Sequence, residues 1–126
     1  MLRPLLALAV AALLISCGDS DESCGFEDGT YLSNSHRVNG DCPDMETKLV
    51  SPGNGPPSEC TQSIRYDDDC NVSVTRDCEL DGNRARAVMS LVPHGNGYAG
   101  SVQYTLLSPN PQVSCSGLYN VTYTAQ

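Results

Sequence analysis

Six cysteines, Cys24, Cys42, Cys60, Cys70, Cys78 and Cys115, are spread across most of this 126-residue chain. No other feature restricts the possible folds as strongly. An even set at wide spacing reads as a framework of three disulfides, which form in an oxidising compartment. A zinc site would need Cys-x-x-Cys or histidines close to the cysteines, and neither spacing occurs. No metal and no cofactor is expected.

Between the cysteines the chain alternates apolar and polar residues over short runs separated by turn signals, with no sustained helical period. Thr30 to Arg37 reads as a first strand, ended by Asn39-Gly40-Asp41. Pro43 to Glu59 is too rich in Pro and Gly for a regular element and reads as a long loop. Cys60 to Tyr66 and Asn71 to Cys78 form a hairpin around Asp67-Asp68-Asp69. Arg84 to Val92 and Tyr98 to Leu107 flank Pro93-His94-Gly95-Asn96-Gly97, and Gly117 to Ala125 closes the chain. In Tyr98 to Leu107 the even positions Tyr98, Val102, Tyr104 and Leu106 oppose Ser101, Gln103 and Thr105. That alternation marks antiparallel sheet with one buried face. The expected fold is all-β, a small six-stranded antiparallel meander, barrel or sandwich, braced by three disulfides.

This pattern restricts the bridges. If residues 71–77 form one strand, Cys70 and Cys78 stand roughly 26 Å apart at ~3.3 Å per residue. A disulfide needs Cα atoms within about 7 Å, so these two should not pair. In a hairpin centred on Asp69, Tyr66 opposes Val72 and Cys60 opposes Cys78. The expected pairing is Cys60–Cys78 with Cys24–Cys70 and Cys42–Cys115. Its main rival joins Cys42 to Cys60 and closes the Pro-rich segment into a loop.

The seventh cysteine has a different setting. Leu5 to Ile15 is an apolar run of 11 residues behind Met1-Leu2-Arg3-Pro4, shorter than the ~18 of a membrane helix and fitting a signal-peptide core. It ends in Leu14-Ile15-Ser16-Cys17, followed abruptly by Gly18-Asp19-Ser20-Asp21-Glu22. Leu14 to Cys17 resembles the lipobox of bacterial lipoproteins. The resemblance implies cleavage before Cys17, a diacylglyceryl group on its sulfur, and a chain lipid-anchored in the cell envelope. With Gly18 rather than an aspartate directly after the cysteine, the outer membrane is preferred over the inner. Two or more acyl chains give stable anchoring, whereas one binds only marginally. The expected organisation is a signal peptide over 1–16, the lipidated cysteine and an acidic tether over 17–23, and a disulfide-rich β domain over 24–126.

Without residues 1–16 the chain carries six Lys and Arg against fifteen Asp and Glu, a net charge of −9. Nucleic acid is thereby disfavoured as a partner. The partners expected are the membrane, through the anchor, and a protein or small-molecule ligand.

Catalytic signals are sparse. Asp77-Cys78-Glu79-Leu80-Asp81-Gly82 opens like a calcium loop, but the position needing a bidentate glutamate is Val88. No nucleophile or phosphate-loop motif occurs. The expectation is a membrane-anchored lipoprotein with a non-catalytic binding or interaction domain. One alternative is a secreted-enzyme inhibitor acting through the 43–59 loop, where Lys48 and Leu49 are the anchors on offer. The other is a small hydrolase with carboxylates converging on His36 or His94.

Overall fold

A computed structural model describes residues 24–126; the apolar run, Cys17 and the 17–23 tether lie outside the described residues. Among the described residues seven strands form one antiparallel sheet: β1 (Tyr31–Gly40), β2 (Lys48–Val50), β3 (Cys60–Tyr66), β4 (Val72–Leu80), β5 (Asn83–His94), β6 (Gly97–Leu107) and β7 (Cys115–Ala125). Their order across the sheet is β2-β1-β7-β6-β5-β4-β3. The sheet curls into a half-barrel. β3 to β7 are a plain meander, but β1 lies against β7, so the first and last long strands are neighbours. β2 and β3 are not joined.

The sequence reading undercounts the strands by one. The Pro43 to Glu59 stretch, read as loop throughout, contains β2 and a 3-10 turn at Pro52–Asn54. Three residues are too few for alternation to register. What stabilises them is pairing outside the stretch, with Lys48 opposite Ser33 and Val50 opposite Tyr31. The other strands run up to three residues past their expected ends, because neighbouring strands offer hydrogen bonds that local signals do not reveal.

Turn chemistry sets the register. β4 and β5 meet in a two-residue turn at Asp81-Gly82, with φ of 54° and 81°. Two left-handed residues in succession are the Asp-Gly hairpin signature, so the calcium-like sequence is the end of β4 followed by a hairpin turn. β5 and β6 are likewise joined through Gly95-Asn96, with Gly95 at φ 56°. Curling brings backbones close where side chains are absent. A Cβ on Gly100 would lie 1.9 Å from the Ser90 carbonyl oxygen, so this inward position admits glycine alone without a shift of the strands.

The inner face carries the core: Val72, Val74, Leu91, Tyr98, Val102, Tyr119, Val121 and Tyr123 are buried. One end of the half-barrel is plugged by a 3-10 turn, Phe26–Asp28. The Phe26 ring packs against those of Tyr31, Tyr98 and Tyr123 at centroid distances of 5.4, 5.0 and 5.7 Å. The Tyr98 hydroxyl donates to the Cys24 carbonyl at 2.5 Å. The disulfides are Cys24–Cys70, Cys42–Cys115 and Cys60–Cys78. The first ties the plug to the β3–β4 turn, and the other two lie toward the opposite end.

Tyr66 closes the plugged end. Its hydroxyl accepts from the Glu27 amide at 3.2 Å and donates to Glu27 Oε1 at 3.3 Å. Burial pushes its phenol up to about 12. A raised phenol pKa means the folded state prefers the neutral form, so its stabilisation is complete below pH 10 and is lost between pH 10 and about 12. Urea unfolding across that range should show stability falling as pH rises, with a shallower fall in Tyr66→Phe. Equal slopes would refute the assignment.

Candidate functional site

Two surfaces could bind a ligand. The first is a groove of about 450 Å³ on the outer face, at the end opposite the plug. It is lined by Glu59, Thr61, Asp77, Glu79, Arg84, Arg86, Thr105 and Leu107, with Cys78 and Ala85 behind them. Strand register places Asp77 opposite Arg86 and Glu79 opposite Arg84. Arg86 Nε lies 3.8 Å from Asp77 Oδ1, and both side chains are at least half exposed. Exposed pairs of this kind contribute little stability. Electrostatically, the groove largely neutralises itself.

The second is the inner face between the plug and the opposite end. Side chains at opposed register positions point the same way, so the face can be read across the sheet. One row runs Gln62, Arg76, Ala87, Tyr104. The next runs Ile64, Val74, Met89, Val102, Tyr119, Arg37. Val74 and Val102 are buried, while Ile64, Gln62, Arg76, Met89 and Tyr104 are half-buried. The floor is therefore apolar. Its two walls are polar: Ser33, Ser35, Arg37 and Lys48 on β1 and β2, and Gln62 and Arg76 on β3 and β4.

The walls are built by specific contacts. Arg76 donates from Nε and Nη2 to Gln62 Oε1, at 2.9 and 2.7 Å. Tyr123, raised by burial, is held back in part by a hydrogen bond with Ser33 and by the Arg76 charge. The Tyr123 hydroxyl also donates to Met89 Sδ at 3.3 Å. At the far end, Tyr119 donates to the Pro43 carbonyl at 2.7 Å and Arg37 Nη1 to the Cys42 carbonyl at 2.6 Å. These bonds strap Cys42 and Pro43 to the far end of the sheet. Burial raises the Tyr119 phenol, Arg37 lowers it and Asp44 raises it.

The third boundary is the Pro-rich segment. The turn at Pro52–Asn54 packs against the plug: a Cβ on Gly53 would sit 2.2 Å from the Glu27 carbonyl oxygen. Cys60, bonded to Cys78, lies at the other end. Residues 55–59 must therefore return along the open side of the half-barrel. Pro56 and Pro57 have no N–H to pair with β3.

The residues singled out from sequence are scattered. Lys48 points to the inner face beside Ser33, whereas Leu49 points outward opposite Leu32 and is 63% exposed. His36 lies on the outer face of β1 opposite Asn120, and His94 ends β5; both are exposed. No carboxylate lies within 4.0 Å of either imidazole among the described residues. They are not brought together, and the hydrolase alternative gains nothing from them. Asp41, Cys42 and Cys115 cluster closely enough to suggest a metal. Both sulfurs are bonded to each other, however, and Asp41 accepts from the Ser116 amide at 2.9 Å, so the cluster has no thiolate to offer.

Arg76, Gln62 and Arg37 were not picked out from sequence as site residues. The signal was there: an arginine at an even, inward position of a strand whose other even positions are Val72, Val74, Cys78 and Leu80. No family model, curated protein or solved structure matches this chain.

Proposed function

We propose that this chain is a membrane-anchored envelope lipoprotein whose 24–126 domain is a non-catalytic binding module. The observation that supports binding is the open-edged half-barrel: half-buried polar and apolar side chains face inward between two unjoined edges, in a frame held by three disulfides. A frame held rigid in this way lowers the ordering cost of binding.

The anchoring part of the proposal rests on Leu14 to Cys17 and on where the domain begins. Seven residues from Cys17 to Cys24 span at most about 25 Å. Cys24 is fixed to the plugged end by its bridge to Cys70 and by Tyr98. A lipid on Cys17 would hold that end toward the bilayer, in the outer membrane by the residues after the cysteine, and would leave the opposite end and the outer groove facing away. The inhibitor alternative is weaker, because β1 and the plug pin the middle of the 43–59 stretch.

The test is the intact mass of the protein taken from its native membranes without reduction, first denatured and then native. Expected are a lipid adduct on Cys17, the loss of six hydrogens to three disulfides, and a retained ligand mass in the native spectrum. An unmodified Cys17 would overturn the anchor. A native spectrum free of any added mass, together with no captured partner, would overturn the binding reading.

A further inference from the structure

Charge is distributed unevenly between the two faces of the sheet. Among the described residues only two carboxylates lie on strands, Asp77 and Glu79, and both point outward, where Arg86 and Arg84 oppose them. The inner face has no Asp or Glu at any strand position, yet it carries Arg37, Lys48 and Arg76, half of the cations of the described domain. Among the described residues none of these three has a carboxylate within 4.0 Å. The other acids of the described residues lie in turns and loops, including Glu27 and Asp28 at the plug and Asp44 on the far strap. In a chain this acidic, a concave face with cations alone is an electropositive recess inside an electronegative shell.

Arg76 is the centre of this recess. A guanidinium has five N–H donors, and Gln62 accepts two of them. The other three have no partner among the described residues. Low-dielectric walls concentrate the field of a charge placed in a cleft, and arginine matches a carboxylate with two parallel hydrogen bonds. Beside it lie Ile64, Met89 and Tyr104, the half-buried part of the apolar floor, with Val74 and Val102 buried beneath them. Deepening the binding reading, on which this rests, we infer that the inner face takes a small organic carboxylate with an apolar body. The carboxylate sits at Arg76, the body lies along the floor, and Lys48 on the opposite wall adds attraction at longer range. The net charge favours cationic ligands over the outer surface, but not here.

The experiment uses the full-length protein in nanodiscs and octanoate labelled at its carboxyl carbon, with empty nanodiscs to subtract partition into lipid. Octanol, which has the same chain without the charge, is the second ligand. Octanoate should bind saturably, with its carbon resonance shifted, and octanol should not. Arg76→Gln should weaken octanoate about tenfold or more, Lys48→Gln about twofold, and Arg86→Gln on the outer face not at all. Lys48 is exposed on an edge strand, so its variant keeps the test decisive if Arg76→Gln loses its disulfides or its strand spectrum. Octanoate binding that is absent, matched by octanol, or unchanged in the folded variants would overturn the inference. In that case a neutral or cationic ligand retained in the native mass spectrum would leave the binding module standing; none retained would remove both.

Discussion

Replacing Cys42 and Cys115 together by alanine should lower the free energy of unfolding by about 4 kcal/mol, more than removal of either other bridge. The ranking follows from loop length. A cross-link restricts the unfolded chain in proportion to the logarithm of the loop it closes. The sequence separations are 73 for Cys42–Cys115, 46 for Cys24–Cys70 and 18 for Cys60–Cys78. Chain entropy alone then assigns about 3 kcal/mol to the shortest and about 1 more to the longest. Packing adds to the difference, because Cys42 is 1% exposed and its neighbours strap the far end through Arg37 and Tyr119. Urea unfolding of the three double variants, one per bridge, with the denaturant slope checked for constancy, measures this directly. A larger loss from Cys60→Ala with Cys78→Ala would show that the native state, not the unfolded chain, sets the order.

Phe26→Ala should lower stability by about 3–5 kcal/mol, the usual range for removing a buried aromatic ring. In a domain of this size that corresponds to a fall in Tm of about 15 °C or more. Phe26 is 2% exposed and is the only phenylalanine in the chain. It lies outside every strand, yet Tyr31, Tyr98 and Tyr123, from three different strands, all pack on it. Its loss would open a cavity that a covalently pinned turn cannot collapse to fill, since Cys24 is held by Cys70. The variant should keep all three disulfides and still expose the plugged end, which hydrogen exchange at Tyr31 and Tyr98 would register. A loss under 1 kcal/mol would mean that the plug is not part of the cooperative unit.

Much of this fold was legible because alternation in β4 to β7 is regular and the turns between them are rich in Gly, Asp and Asn. The Asp69-centred hairpin has the observed register, with Tyr66 opposite Val72 and Cys60 opposite Cys78. Two kinds of information were missing. Lateral order is one: nothing local in Thr30 to Arg37 says that it will lie beside Tyr119, Val121 and Tyr123 rather than beside β3. Support from a partner strand is the other: Lys48–Val50 is a strand only because β1 is there. The plug escaped for a related reason, since a single Phe26 amid Gly25, Glu27 and Asp28 has no period to detect. The same holds for the inner-face cations. Alternation shows that Arg76 points inward, but only the assembled sheet shows that Lys48 and Arg37 point inward with it and that no carboxylate does.

The adjacency of β1 and β7 also governs when this domain can fold. Tyr31 pairs with Ala125, 94 residues later, so the first long strand has no strong neighbour until nearly the whole chain is present. Contacts this distant in sequence make folding slow. The cysteines sharpen the problem, because none of the three bridges joins consecutive cysteines: Cys24 passes over Cys42 and Cys60, Cys42 over three others, and Cys60 over Cys70. Oxidised in order of synthesis, the chain would trap Cys24 with Cys42 and Cys60 with Cys70. Its native state is reached either by delaying oxidation until the last strand arrives or by thiol–disulfide exchange afterwards. Its yield should therefore depend on a disulfide isomerase more than on an oxidase.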